Sequence, residues 1–178
     1  MNFVSKREKR LWVTAFLGLL SIYCTLGVVR DWFLMVESTG WGSYLFVQVS
    51  SLILLTVVTQ GMTSIPNLKE MGVTSGIILV YWFVFSQISF PEERIHIIMY
   101  GVVALLIHAA LLERSVGGQK IPVSFLIVIV VTSLFGTIDE IIQIQLPNRV
   151  FDVHDILYNF VASVMAVGSN ASLRWARK

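Results

Sequence analysis

Apolar residues in this chain come in long runs, separated by short polar interruptions. A bilayer core about 30 Å thick needs about 20 apolar residues in a helix that rises about 1.5 Å per residue. Six windows approach that length: 11–29, 44–65, 74–90, 95–112, 121–138 and 155–173. The second carries Gln48, Gln60 and several hydroxyls, and the sixth holds Asn159 and Asn170. The separators are rich in turn formers: "ESTGWGS", "IPNLKEMG", "SFPEER", "RSVGGQKIP" and "LPNRVFD". The pattern predicts an all-α, polytopic membrane protein, a bundle of six transmembrane helices with five as the alternative count. Residues 1–178 read as one transmembrane domain, with no soluble domain and no repeat of fixed period.

Composition agrees. Of 178 residues, 56% are hydrophobic and 13% charged, with a mean hydropathy of +0.77. Soluble domains carry roughly a quarter charged residues, so lipid is part of the solvent here. A net charge of +2 gives no reason to expect a nucleic-acid partner. The start, "SKREKR" before an oily run, invites a signal-peptide reading. Residues 11–29 are nineteen without a charge, longer than the roughly 7–15 of a signal core, and no small-residue cleavage site follows. A retained helix is expected. Cys24 is the single cysteine and allows no internal disulfide.

Loop charge sets the orientation. With six spans, one side holds ten of the thirteen Lys and Arg residues; the other holds Arg30, Arg94 and Arg149. The positive-inside rule then puts both termini in the cytoplasm. Five spans would carry the "RWARK" tail outside and break that asymmetry.

The exception to the oily pattern is "GTIDEIIQIQLPNRVFDVHDILYNF", which packs Asp139, Glu140, Arg149, Asp152 and Asp155 into seventeen residues. At 3.6 residues per turn, Gly136, Asp139, Glu140 and Gln143 share an arc of about 100°. Beyond Pro147, Asp152, Asp155 and Asn159 follow at i, i+3 and i+7. Two antiparallel helices joined by "LPNRVFD" would face each other with polar stripes, with Arg149 at the rim. Ionisable groups at a helix centre cost about 2.5–3.5 kcal/mol on insertion scales, so these acids are expected to point inward, at the outer end of the bundle. Upstream, in "SFPEERIHIIMYG", His96 stands four residues from both Glu92 and Tyr100, with Arg94 at the membrane edge. His96 and Tyr100 are expected to look toward the carboxylates.

The pattern "DE-x-x-Q-x-x-x-P-x-R", then "D-x-x-D-x-x-x-N", resembles the VanZ-like family, as does the upstream "R-x-H-x-x-x-Y-G". The matching residues are Asp139, Glu140, Gln143, Pro147, Arg149, Asp152, Asp155 and Asn159, with His96, Tyr100 and Gly101. The resemblance covers roughly residues 91–168. The second element ends here in "FVASVMAVG" instead of a Gly-rich stretch, and Glu92-Glu93-Arg94 stands where a lysine often precedes the histidine. What the resemblance implies is a bacterial plasma-membrane protein of the cell envelope, related to a protein that lowers susceptibility to teicoplanin-type glycopeptides. It implies no settled reaction.

The residues leave several readings open. Asp139, Glu140, Asp155 and Arg149 can form a polar clamp between helices, since interhelical hydrogen bonds contribute about 0.6–2 kcal/mol each. They can equally line an outward-facing acidic pocket for a lipid-linked or cell-wall precursor. In that reading Arg94, His96, Tyr100, Asp139, Glu140, Gln143, Arg149, Asp152, Asp155 and Asn159 bind the ligand. An arginine then suits a phosphate. As an enzyme, a hydrolase or transferase acting on a lipid phosphate or glycan, the chain would draw its acid–base groups from Asp139, Glu140, Asp155 and His96. As a proton-coupled transporter or flippase, it would use the same acids as a relay. No cofactor is expected. A divalent cation is the minor alternative, because His96 with carboxylates suits no one metal well. Membrane lipids are the expected partners, and the oligomeric state is left open.

Overall fold

In the computed structural model, residues 3–40, 66–88, 91–118, 121, 124–146 and 151–178 are described, without the side chains of 27–34, 37, 91–93, 95 and 96. The described chain is all-α. Its helices are α1 (Lys6–Glu37), α2 (Leu68–Gln87), α3 (Pro91–Val116), α4 (Ser124–Gln143) and α5 (Val153–Ala176). All five contain a stretch long and apolar enough to cross a membrane. The chain is a multi-pass membrane protein. The window 44–65 lies outside the described residues.

The helices outrun the hydropathy windows because helix and oiliness end for different reasons. α2 begins at Leu68, where the Asn67 side chain accepts the Glu70 backbone N–H at 2.8 Å and caps the first turn. α4 runs past Ile138 through Asp139 and Glu140 to Gln143, because those polar side chains turn inward and leave Ile138 and Ile141 to face outward. α3 ends at Val116, and two residues on, Gly118 has a φ of 93°, which suits a residue without Cβ.

The chain groups into two compact units, Met1–Val29 with Ile95–Val167, and Arg30–Arg94 with Gly168–Lys178. In the first, α1 lies antiparallel to α3. Glu8 Oε1 sits 2.8 Å from Arg114 Nε, Ser5 Oγ donates to Glu113 at 2.9 Å, and Gly18 faces Val103. α4 runs antiparallel to α3 through Tyr100 and Asp139, and α5 antiparallel to α4 through Gly136 and Asn159. In the second unit, Glu70 pairs with Arg177 at 3.0 Å and Asn67 donates to the Ala176 carbonyl at 3.2 Å, so the start of α2 meets the end of α5.

The α4–α5 seam is the polar heart of the first unit. The buried face of α4 is Val128, Thr132, Gly136, Asp139, Glu140 and Gln143; its exposed residues include Phe125, Leu126, Ile127, Val130, Leu134, Ile138 and Ile141. This is the reverse of a soluble amphipathic helix, and the arrangement expected where lipid covers the outside.

Glu8 is fully buried, whereas its partner Arg114 keeps 18% of its side chain accessible. Removing one member of a buried pair leaves an uncompensated charge and costs about 3–5 kcal/mol. Arg114→Ala is therefore expected to lower the thermal unfolding midpoint of the detergent-solubilised protein strongly. Arg7→Ala, whose side chain is 76% exposed beside Glu113, is expected to change it little.

Candidate polar site at the α3–α4–α5 junction

Asp139 and Glu140 are neighbours in sequence but point about 100° apart on α4, and each serves a different helix. Asp139 turns to α3, where the Tyr100 hydroxyl donates to its Oδ2 at 2.9 Å; both residues are fully buried. One turn below Asp139, the Phe135 carbonyl accepts the Tyr23 hydroxyl of α1 at 2.9 Å. Glu140 turns to the start of α5. Its Oε2 accepts the Asp152 backbone N–H at 3.1 Å, and its Oε1 accepts the Gln143 amide at 3.0 Å. Neutral donors thus hold both oxygens of Glu140.

Across the seam, Gly136 faces Asn159 so closely that a Cβ on the glycine would come within 2.6 Å of the Asn159 Cβ. The same register puts Glu140 level with Asp155, Thr132 level with Ser163, and Val128 level with Val167, and all six are buried. The polar face is therefore a stack of layers. Carboxylates lie at the outermost, Asn159 against the glycine below them, and hydroxyls deeper still. Ser163 Oγ returns to the Asn159 carbonyl at 2.9 Å, closing the α5 side.

Of the residues singled out from sequence, Tyr100, Asp139, Glu140, Gln143, Asp155 and Asn159 come together, buried. Asp152 does not continue the helical stripe. It precedes α5, stands 43% exposed, and accepts both the backbone N–H and the ring Nδ1 of His154 on its Oδ1 at 2.8 Å. Its role is that of a helix cap. Arg94 belongs to the other compact unit, and donates through Nε at 3.1 Å and Nη2 at 2.7 Å to the Ile88 carbonyl at the end of α2. Arg149 and the His96 side chain lie outside the described residues. Among those described, no group of three or more His, Cys, Asp or Glu side chains is placed to hold a metal ion.

Sequence reasoning passed over Tyr23, Thr132 and Ser163. The last two carried a signal, lying four residues before Gly136 and four after Asn159 on the same faces. Tyr23 carried none, since its role depends on how α1 docks. No family model, no curated protein and no solved structure matches this chain. Its chemistry rests on the geometry alone.

Outside the membrane-spanning segments, the His154 backbone N–H and then its imidazole hold the Asp152 carboxyl below the usual carboxylate range. A depressed value means the stabilisation is full above the unfolded carboxylate pKa of about 3.9 and is lost as pH falls through the lower folded value. Asp152→Ala should cost about 1 kcal/mol, typical of a lost cap. Measured by unfolding across pH, that penalty is present at about pH 5 and shrinks as pH falls below about 3.9.

Gly136→Ala forces a Cβ into Asn159, and overpacking of this kind costs about 1–3 kcal/mol. The double variant Gly136→Ala/Asn159→Gly removes the opposing Cβ and relieves the clash. It should recover part of the unfolding midpoint lost by Gly136→Ala alone.

Proposed function

We propose that this chain is a VanZ-like integral membrane protein of a bacterial plasma membrane, one that crosses the bilayer six times with both termini in the cytoplasm. Its acidic junction opens toward the exterior and binds the headgroup of a lipid-linked cell-wall precursor, lowering susceptibility to teicoplanin-type glycopeptides. The observation that carries the reading is the convergence of Tyr100, Asp139, Glu140, Gln143, Asp155 and Asn159 in one buried cluster. It supports the resemblance because the residues of three separated motif elements meet in space.

The six-span count is supported by the lengths of the six apolar windows. The orientation is supported by the charge asymmetry of the loops, which would put both termini in the cytoplasm and the acidic junction near the outer face, where a lipid-linked precursor is handled.

The test is teicoplanin susceptibility in a bacterial strain to which the chain gives protection, with Asp139→Asn, Asp155→Asn and Arg149→Ala at equal membrane abundance. Loss of protection in all three is expected; wild-type protection in all three rejects the site. Replacement of Asn148 by cysteine checks the orientation. An impermeant thiol reagent should label it on intact cells.

A further inference from the structure

The first turns of α1 divide their charges between two faces. Glu8 is fully buried and paired with Arg114, and Ala15 and Ile22 continue that buried face at intervals of seven residues. Arg7 lies to one side of it, beside Glu113. Lys6, Lys9 and Arg10 point the other way. All three are exposed, and among the described residues none of their side chains makes an ion pair or a hydrogen bond.

Helical spacing sets apolar residues on the same face. At about 100° per residue, Lys6, Lys9 and Arg10 share an arc of about 100°. Further along α1, Val13, Phe16, Leu17 and Leu20 fall within about 120° of one another on that arc, and each is between 45% and 64% exposed. From Arg10 to Leu20 is about 15 Å along the helix, half the roughly 30 Å of a bilayer core. The stripe is therefore one leaflet deep, with cations at headgroup level and apolar side chains along the acyl region.

The cations decide what covers this face. Any acyl chain suits the apolar part. A second copy of this chain packed parallel on α1 would set three cations against three, and like charges repel. A phospholipid of net negative charge meets both parts at once, its phosphate against the basic side chains and its acyl chain against the stripe.

We propose that the outward face of α1 is a seat for one anionic phospholipid. Lys6, Lys9 and Arg10 hold its phosphate, and one acyl chain lies along Val13, Phe16, Leu17 and Leu20. The Glu8–Arg114 pair makes the seat possible, because it turns the one acid of this segment away from the face that the headgroup meets. The bound lipid anchors the start of α1 at the membrane surface. The seat does not involve the acidic junction and does not rest on the headgroup reading there.

The full chain, stripped of lipid in dodecyl maltoside, is titrated with phosphatidylglycerol and with phosphatidylcholine of the same acyl chains. Bound lipid is counted by native mass spectrometry. One phosphatidylglycerol per chain is expected, held about tenfold more tightly than phosphatidylcholine. Lys6→Gln/Lys9→Gln/Arg10→Gln should lose that preference, while Lys69→Gln, at an exposed lysine in the first turn of α2, should keep it. Equal affinity for the two lipids overturns the proposal, and so does a preference that survives the triple variant. Inorganic phosphate that binds as tightly as phosphatidylglycerol overturns it too, since the apolar stripe would then contribute nothing. Should the triple variant not fold, the three single variants decide: each should weaken phosphatidylglycerol alone, and no change in any of them overturns the seat. A chain without the preference that still protects against teicoplanin fails here and leaves the junction reading intact; the preference without protection does the reverse.

Discussion

Lipid offers no hydrogen bonds, and this constraint shapes every described helix. A polar side chain in a spanning segment must find its partner inside the protein. α4 obeys by turning Thr132, Gly136, Asp139, Glu140 and Gln143 inward and giving its other face to isoleucine, leucine, valine and phenylalanine. The inward face then requires a neighbour with matching polarity, and α5 supplies Asp155, Asn159 and Ser163 at the same register. Gly136 makes the match possible by letting the α5 side chain come against α4 where any larger residue would hold the helices apart. The seam is polar because its helices are close, and close because one residue lacks a side chain.

Within the first unit, the two ends of α3 solve the problem of buried charge differently. Near its end, Arg114 meets Glu8, acid against base, with Ser5 and Arg7 completing the contact around Glu113. About 21 Å away along the helix, at 1.5 Å per residue, Tyr100 meets Asp139, and beyond it Glu140 is held by a side-chain amide and a backbone N–H. The first arrangement neutralises its acid where it stands. The second holds Glu140 by hydrogen bonds from neutral donors alone.

Much of this was legible from the residues. Long oily runs located the five described spans, and helical geometry put Gly136, Asp139, Glu140 and Gln143 on one arc, where they lie. Span limits were less legible, because hydropathy falls at a charge whereas a helix ends only when its backbone loses partners. Hence α4 passes through Asp139 and Glu140, and α2 starts six residues before its oily window. Tertiary choices were not legible. That adjacent acids serve different helices, that Tyr23 reaches the Phe135 carbonyl, and that Asp152 caps α5 from outside all depend on how the helices dock. Local spacing carries no record of docking. Arg94 shows the limit of reasoning from residue type: a guanidinium beside an acidic motif invites a phosphate, yet this one closes the end of α2 on the Ile88 carbonyl.

The layering of the seam also bears on how such a site can work. Glu140 accepts from both the Gln143 amide and the Asp152 backbone N–H, so this layer of the seam includes a helix start. A ligand that engaged Glu140 would compete with the Asp152 N–H and loosen the first turn of α5. Asn159 lies two turns further along the same helix, packed on Gly136. Movement of the first turn of α5 would therefore act against the tight contact of Asn159 with Gly136, a resistance that an acidic turn on a loosely packed pair of helices would lack.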